Sequence, residues 1–369
     1  MSDKNWPTWL PLRPDLKPLS PYGAPQVPAE ATLNTNENPY APSPALAKAI
    51  ADRTHKVALN LNRYPDRDAV LLRKGLASFI NKLSKTSFDS DQVWAANGSN
   101  EIIQSLFMAF GDRPALGFTP SYSMHPLIAN VIGVQWRDGG RRADFSLDLA
   151  KAKEEISTVK PALTFITTPN NPTGTTVTLD EISQLADAAA KVSGLLIVDE
   201  AYAEFSSLPS AVTLITKFPN LVVIRTMSKA FAFAGARVGY LIASPEVVSA
   251  MFLVRLPYHL SSLTQAAAEV ALEFQSELLS TVSSLIESRN SVVLELEKMG
   301  LQVAPSQANF ILFAGFSQES AQLWRQLLDR GVLIRDVGLL GHLRVTVGNE
   351  AENQKFIAAL KDILNGESQ

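Results

Sequence analysis

The chain has no cysteine, which excludes disulfides, thiol nucleophiles and thiolate metal sites. That absence fits a reducing compartment. Histidine is nearly as scarce, with His55, His125, His259 and His342 only. No uninterrupted apolar run reaches the roughly 18–20 residues of a membrane helix. The best candidate, VGYLIASPEVVSAMFLV, is cut by Pro245 and Glu246. The start, MSDKNWPTWLPLRPDL, has neither the basic flank nor the apolar core of a signal peptide. Charge of one sign is lacking too. The 33 Lys and Arg against 36 Asp and Glu leave a net charge of -3, which argues against a nucleic-acid surface driven by bulk charge. There is no GxGxxG, no P-loop, no internal repeat and no low-complexity tract. The expectation is a soluble, cytoplasmic protein with no nucleic-acid or membrane partner.

What is present is a large apolar fraction, 46% of 369 residues, enough for a substantial core in one large or two ordinary domains. Ten of the 22 prolines fall in the first 44 residues. A segment so rich in proline forms neither long helices nor central strands. It reads as an extended arm held to a surface by Trp6, Trp9, Tyr22 and Tyr40.

Strand-length apolar runs then appear at residues 92–96, 115–119, 133–137, 163–168, 195–200, 221–226 and 238–243. Most are continuous, as expected of strands covered on both faces. Helical patterns lie between several of them. In LDEISQLADAAAKV, for example, Ile182, Leu185, Ala186 and Ala189 share one face. This alternation predicts an α/β fold with a mostly parallel, seven-stranded sheet. Beyond residue 262 a long helical stretch, about 263–299, and short strands near 309–313, 332–336 and 343–348 predict a smaller α+β domain. The expected boundaries are an arm over 1–35, a large domain over 36–262 and a small domain over 263–369.

Four segments carry chemistry. In TMSKAFAFAGARVGYLIA, Lys229 sits among small and apolar residues just after a strand. Desolvation disfavours an ammonium, so a neutral, nucleophilic amine becomes accessible, as a carbonyl-condensing lysine requires. Ser228 and Arg237 beside it suit a phosphate. In IVDEAYAEF, Asp199 closes an apolar strand and Tyr202 follows. Ligands of open α/β sheets bind at such strand ends. An aspartate there can hold a metal, act as a base or pair with a protonated ring nitrogen. Metal is the weakest option, because no histidine sits nearby at ligand spacing. In TTPNNPTGTTV, Asn171 lies in a rigid turn that can aim its amide at a ligand oxygen. In AANGSNEIIQSLF, Gly98, Ser99 and Asn100 open a helix whose free amides form an anion site. Each segment alone has a plainer reading: a surface lysine, a helix cap, a turn, a capped helix. Together they suit one ligand. The nest, serine and arginine match a phosphate; the Asp, Asn and Tyr match a pyridine ring bearing a hydroxyl; the lysine matches an aldehyde. Pyridoxal 5′-phosphate has all these groups.

The motifs SKAFAFAGARVGY, PNNPTG and DEAY, in this set, resemble the fold-type I pyridoxal-phosphate aminotransferases. PYGAPQ, LNTNENPY, NRYPD, ANGSNEI, PSYSMHP, VRLPYHLSS and IRDVG with LRVTVG are similar to the histidinol-phosphate aminotransferase family, in its actinobacterial form. The likeness runs from about residue 21 to 350. It implies that Lys229 carries the cofactor aldehyde and shuttles a proton. Asp199 would pair with the pyridinium nitrogen, and Asn171 and Tyr202 with the ring hydroxyl. Tyr122 would stack on the ring, while Ser228, Arg237 and the 98–100 nest would hold the phosphate. Tyr64 would reach the phosphate of a second subunit, making the enzyme a homodimer. On the substrate side, Arg344 would take a carboxylate and Arg335 a substrate phosphate, with Tyr22, Tyr258, Asn36 and Asn38 lining the pocket. The partners implied are a small-molecule amino donor and an oxo acid. The same scaffold also serves aromatic amino acid aminotransferases and related decarboxylases, and the residues alone leave those open.

Overall fold

The structure, a computed structural model, describes residues 6–21 and 23–366. The seven apolar runs form one sheet. Its strand order is Val93–Ala96, Gly239–Ile242, Leu221–Thr226, Leu195–Asp199, Leu163–Thr167, Ala115–Gly117 and Trp136–Asp138. Only Gly239–Ile242 runs antiparallel to its neighbours. The sheet is thus mixed but mostly parallel.

Side-chain alternation divides the strand residues between two covered faces. Trp94, Phe165, Ile197, Ile224 and Leu241 join a core under helices Ser99–Phe110, Met124–Ile132 and Pro245–Val254. Ala95, Ile166, Val198, Val223 and Tyr240 join the opposite core, which takes in helices Val70–Ser84, Leu149–Val159 and Leu179–Lys191. Helix Leu179–Lys191 starts with a complete capping box between Thr178 and Glu181, and it buries the four residues its periodicity predicts.

The carboxyl-terminal part forms an antiparallel sheet with Phe310–Ala314 between His342–Thr346 and Gln302–Val303. The arm ends inside this part, since Ala31–Thr32 pairs in parallel with Val332–Leu333. Helix Ser262–Glu273 in turn packs on helices Pro44–Ala58 and Val70–Ser84. Pairing and packing contacts therefore join segments on either side of the expected boundaries near 35 and 262.

Three details differ from the sequence expectation. The run at 133–137 becomes a strand only at Trp136–Asp138, because Gly133 caps the preceding helix by donating to the Ala129 and Asn130 carbonyls. The helical stretch after 262 is two helices, Ser262–Glu273 and Gln275–Lys298, broken at Phe274. In the arm, Arg13 Nη1 donates to the Val131 carbonyl, but Trp9 stays 78% exposed rather than anchored.

On the face opposite the cleft, Arg225 is 1% exposed and sits between two carboxylates. Its Nη1 donates to Glu200 Oε2 at 2.8 Å, and Nη2 lies 3.2 Å from Glu204 Oε1. Burial alone would lower the arginine pKa; Glu204 and Glu200 instead hold it above its ordinary value. Burial pushes Glu204 upward, against the pull of Arg225. Removing the cation leaves two buried carboxylates uncompensated. Arg225→Met is expected to lower unfolding free energy by about 3–5 kcal/mol in urea titrations. A change below about 1 kcal/mol would show that the cluster is replaceable.

Candidate active site

The carboxyl ends of the parallel strands and the carboxyl-terminal sheet enclose one cleft. Ser99, Asn100, Tyr122, Asn171, Asp199, Tyr202, Ser228, Lys229, Arg237, Arg335, Arg344 and Asn36 all line it. Residues drawn from most of the length of the chain thus converge where the sheet geometry predicts a ligand.

Lys229 follows the strand Leu221–Thr226 and is enclosed by protein on most sides while open to the cleft. Its Nζ donates to the Thr35 carbonyl at 2.8 Å. Burial, with the Arg344 and Arg237 cations adding to it and Glu37 opposing, lowers its pKa to about 8. A neutral amine is therefore available close to neutrality.

Asp199 ends its strand facing the helix Met124–Ile132, and Glu200, one residue on, faces the other way toward Arg225. His125 Nε2 lies 3.2 Å from Asp199 Oδ2, and both side chains are nearly inaccessible. The Ala201 amide donates to Asp199 Oδ1 at 3.2 Å. The carboxylate is thereby fixed in direction. His125 is not among the residues that the sequence motifs nominate. Its signal was there: a rare histidine three residues after Tyr122, on the same turn. The two rings meet edge to face, with centroids 5.4 Å apart. Tyr122 also donates its hydroxyl to Asn100 Oδ1 at 3.1 Å.

The anion end is built by close approach. Gly98 has φ +83°, and a Cβ there would lie 2.6 Å from Arg237 Nη2. A Cβ on Gly239 would lie 2.5 Å from the Ser99 amide nitrogen. Two missing side chains thus let a guanidinium and a strand close on the start of helix Ser99–Phe110, which has no side-chain cap. Its first amides and dipole favour an anion.

At the opposite end, Arg335 and Arg344 face each other across a backbone bridge with reciprocal N–H···O bonds of 2.9 Å. The short connection between them closes as a tight loop. Arg344 is buried, with its guanidinium over the Phe310 ring. It donates to Asn171 Oδ1 and to the Asn34 carbonyl, each at 2.7 Å. Because Asn171 accepts through oxygen, its amide nitrogen turns toward Tyr202 Oη at 3.5 Å. Asn36 Nδ2 donates to the same hydroxyl at 2.9 Å, and Thr346 donates to Asn36 Oδ1.

Three expected residues do not line the cleft of their own chain. Asn38 does not line the cleft; its amide bonds the Ala230 carbonyl and Thr281. Tyr64 and Tyr258 stack on each other with centroids 4.4 Å apart, outside the cleft of their own chain. Tyr22 lies outside the described residues.

The set fits pyridoxal 5′-phosphate on structural grounds. A bare helix start beside Arg237 matches its phosphate, a fixed buried carboxylate its ring nitrogen, and an enclosed amine its aldehyde. Among the described residues no group of His, Cys, Asp or Glu is arranged to hold a metal.

A covered α/β sheet with these groups at its strand ends is the architecture of a cofactor-dependent transferase. The model of the class I and II aminotransferases matches residues 30–360. A histidinol-phosphate aminotransferase of Nocardia farcinica is 51% identical over 97% of this chain and 94% of its own length. One of Mycolicibacterium smegmatis is 52% identical over 98% and 95%. The solved structure of the Sinorhizobium meliloti histidinol-phosphate aminotransferase with pyridoxal-5′-phosphate superposes with a TM-score of 0.83. It is 23% identical and is matched over 97% of this chain and 98% of that one, a likeness of fold. The chain belongs to the class I and II aminotransferases, within their histidinol-phosphate branch.

With a pKa lowered to about 8, Lys229 sheds its proton in the folded state before an ordinary lysine does. Between that value and the unfolded value near 10.5 the unfolded chain binds more protons, so this residue's contribution to stability improves as pH rises. The rate at which apoprotein develops the absorbance of lysine-bound pyridoxal phosphate is expected to rise with pH up to about 8 and then level off. A rise that continues toward pH 10.5 would mean that the amine is solvated like a surface lysine.

Proposed function

We propose that the chain is a pyridoxal-phosphate-dependent transaminase. It would exchange an amino group between L-histidinol phosphate and 2-oxoglutarate, giving imidazole-acetol phosphate and glutamate in histidine biosynthesis. The observation that carries the chemistry is the enclosed Lys229 amine sharing its cleft with a carboxylate locked by His125. The substrate reading rests on the histidinol-phosphate aminotransferases that match nearly the whole chain.

When bound, the cofactor supplies an electron sink that makes a substrate Cα proton acidic. The chain supplies the placement. The Ser99 and Asn100 amides, Ser228 and Arg237 hold the phosphate. Asp199 keeps a proton on the ring nitrogen, and His125 keeps Asp199 in place. Asn171 and Tyr202 meet the ring hydroxyl, and Tyr122 covers a ring face. Lys229 would hold the aldehyde, and its Nζ, when free of it, would be the base available to a substrate Cα in the cleft. Arg344 takes the α-carboxylate of glutamate through its fork. Arg335 meets the phosphate ester of the other substrate, with Asn36 supporting Tyr202, and Tyr258 joins this pocket only across a subunit interface. Asn38 joins this pocket only if its bond to Thr281 opens. Both substrates use one cleft in turn, so the kinetics are ping-pong.

The working form is proposed to be a homodimer. Tyr64 is 80% exposed and does not line its own cleft. The segments carrying Tyr64 and Tyr258 also expose Leu59, Leu61, Leu71, Leu253 and Leu256. So much exposed apolar surface marks an interface, and a second copy covering it would bring Tyr64 to the partner's phosphate. The enzyme is proposed to work in the cytoplasm, in keeping with a role in amino-acid biosynthesis.

With 2-oxoglutarate as acceptor, histidinol phosphate is expected to give the highest kcat/KM in a substrate panel. Phenylalanine or tyrosine outperforming it would assign the chain to aromatic substrates instead. Arg335→Ala is expected to reduce kcat/KM for histidinol phosphate at least tenfold more than for glutamate, about 1.4 kcal/mol of selective binding. Equal losses would remove the phosphate from its role.

A further inference from the structure

The tyrosine pair is tied to the phosphate end of its own chain by contacts that the mechanism has not used. Tyr258 has φ +58°, an uncommon backbone state for a tyrosine, so something must hold it there. The next residue, His259, stacks on Trp94 and sets Nε2 3.0 Å from the Ala95 carbonyl. A carbonyl only accepts, so this nitrogen carries the proton. The His259 carbonyl in turn accepts from Asn97 Nδ2 at 2.9 Å, and that amide also donates to Glu101 at 2.8 Å. Asn97 immediately precedes Gly98, where the phosphate-holding helix begins. The other tyrosine is fastened to the same unit. Arg255, nearly inaccessible, donates to Asp68 Oδ1 at 2.6 Å, and Gln265 bonds both the Asp66 and Leu260 carbonyls.

We infer that Asn97 and His259 are positioning residues that lock the Tyr64–Tyr258 pair to the mouth of the anion cup. Each protomer's own phosphate site then orients the tyrosines it presents to its partner. This rests on the dimeric, cofactor-binding reading above. Neither residue lines the cleft; both act through Tyr258 and Tyr64.

The test uses hybrid dimers isolated with two affinity tags and checked for assembly by gel filtration. One chain carries Lys229→Ala, so only the other chain can develop the absorbance of lysine-bound cofactor, and that signal is titrated with pyridoxal phosphate. His259→Phe, which keeps the ring and loses the donor, and Asn97→Ser are each placed in the Lys229→Ala chain. The live chain is wild type. Each substitution is expected to raise the cofactor Kd of the live site about fivefold, the worth of one hydrogen bond. Tyr64→Phe in the same chain should do likewise. A residue with only a local structural role would leave the site across the interface unmoved. The inference is overturned if Tyr64→Phe weakens the live site while His259→Phe and Asn97→Ser do not. If Tyr64→Phe also has no effect, the sharing of Tyr64 between protomers fails first and the inference falls with it.

Discussion

An amine enclosed by protein and bordered by two guanidinium groups holds its proton weakly, and the cleft is organised around that constraint. Within the cleft, Lys229 donates from Nζ to the Thr35 carbonyl at 2.8 Å. The cations that depress its pKa after burial, Arg344 and Arg237, mark the two ends of the cleft. The groups proposed to bind anions at each end therefore also prepare the nucleophile between them. An anion bound at either end would neutralise one of these cations and make the ammonium easier to keep, so ligand binding and lysine protonation are coupled by Coulomb's law alone.

The sheet translates sequence parity into function. Asp199 and Glu200 are neighbours in the chain, yet alternation sends one toward His125 and the other toward Arg225. One carboxylate is presented to the cleft, and the other closes a buried ion cluster on the far face. The cluster lies under the strand that carries Asp199 and the one that leads to Lys229, and it ties their ends together through Glu200 and Arg225. A shift of register by one residue would exchange the two environments.

Much of this was legible in the sequence, and the parts that were not have physical reasons. Continuous apolar runs identified six of the seven strands closely, because strands buried on both faces leave no choice of residue type. The seventh moved because Gly133 serves the end of a helix rather than the start of a strand. The break at Phe274 has no proline or glycine to announce it; the apolar pattern simply continues through it. Cleft residues on strand ends were readable, since topology puts them together. Asn38 and His125 were not, because their roles depend on which neighbour a side chain meets. Asn38 turns to Thr281 and His125 to Asp199.

The polar chain across the cleft shows how the two ends are made to act as one. Thr346 donates to Asn36, Asn36 to Tyr202, and Asn171 approaches Tyr202 while accepting from Arg344. Thr346 and Arg344 sit on one strand of the carboxyl-terminal sheet, two residues apart and so on the same face. That strand therefore fixes the amide of Asn171 and the hydroxyl of Tyr202 at once. A carboxylate arriving at Arg344 competes with Asn171 for the same guanidinium. Any shift it causes is passed through one amide to the tyrosine proposed to meet the cofactor ring. On the proposed roles, substrate recognition and cofactor tuning are two ends of a single hydrogen-bonded path.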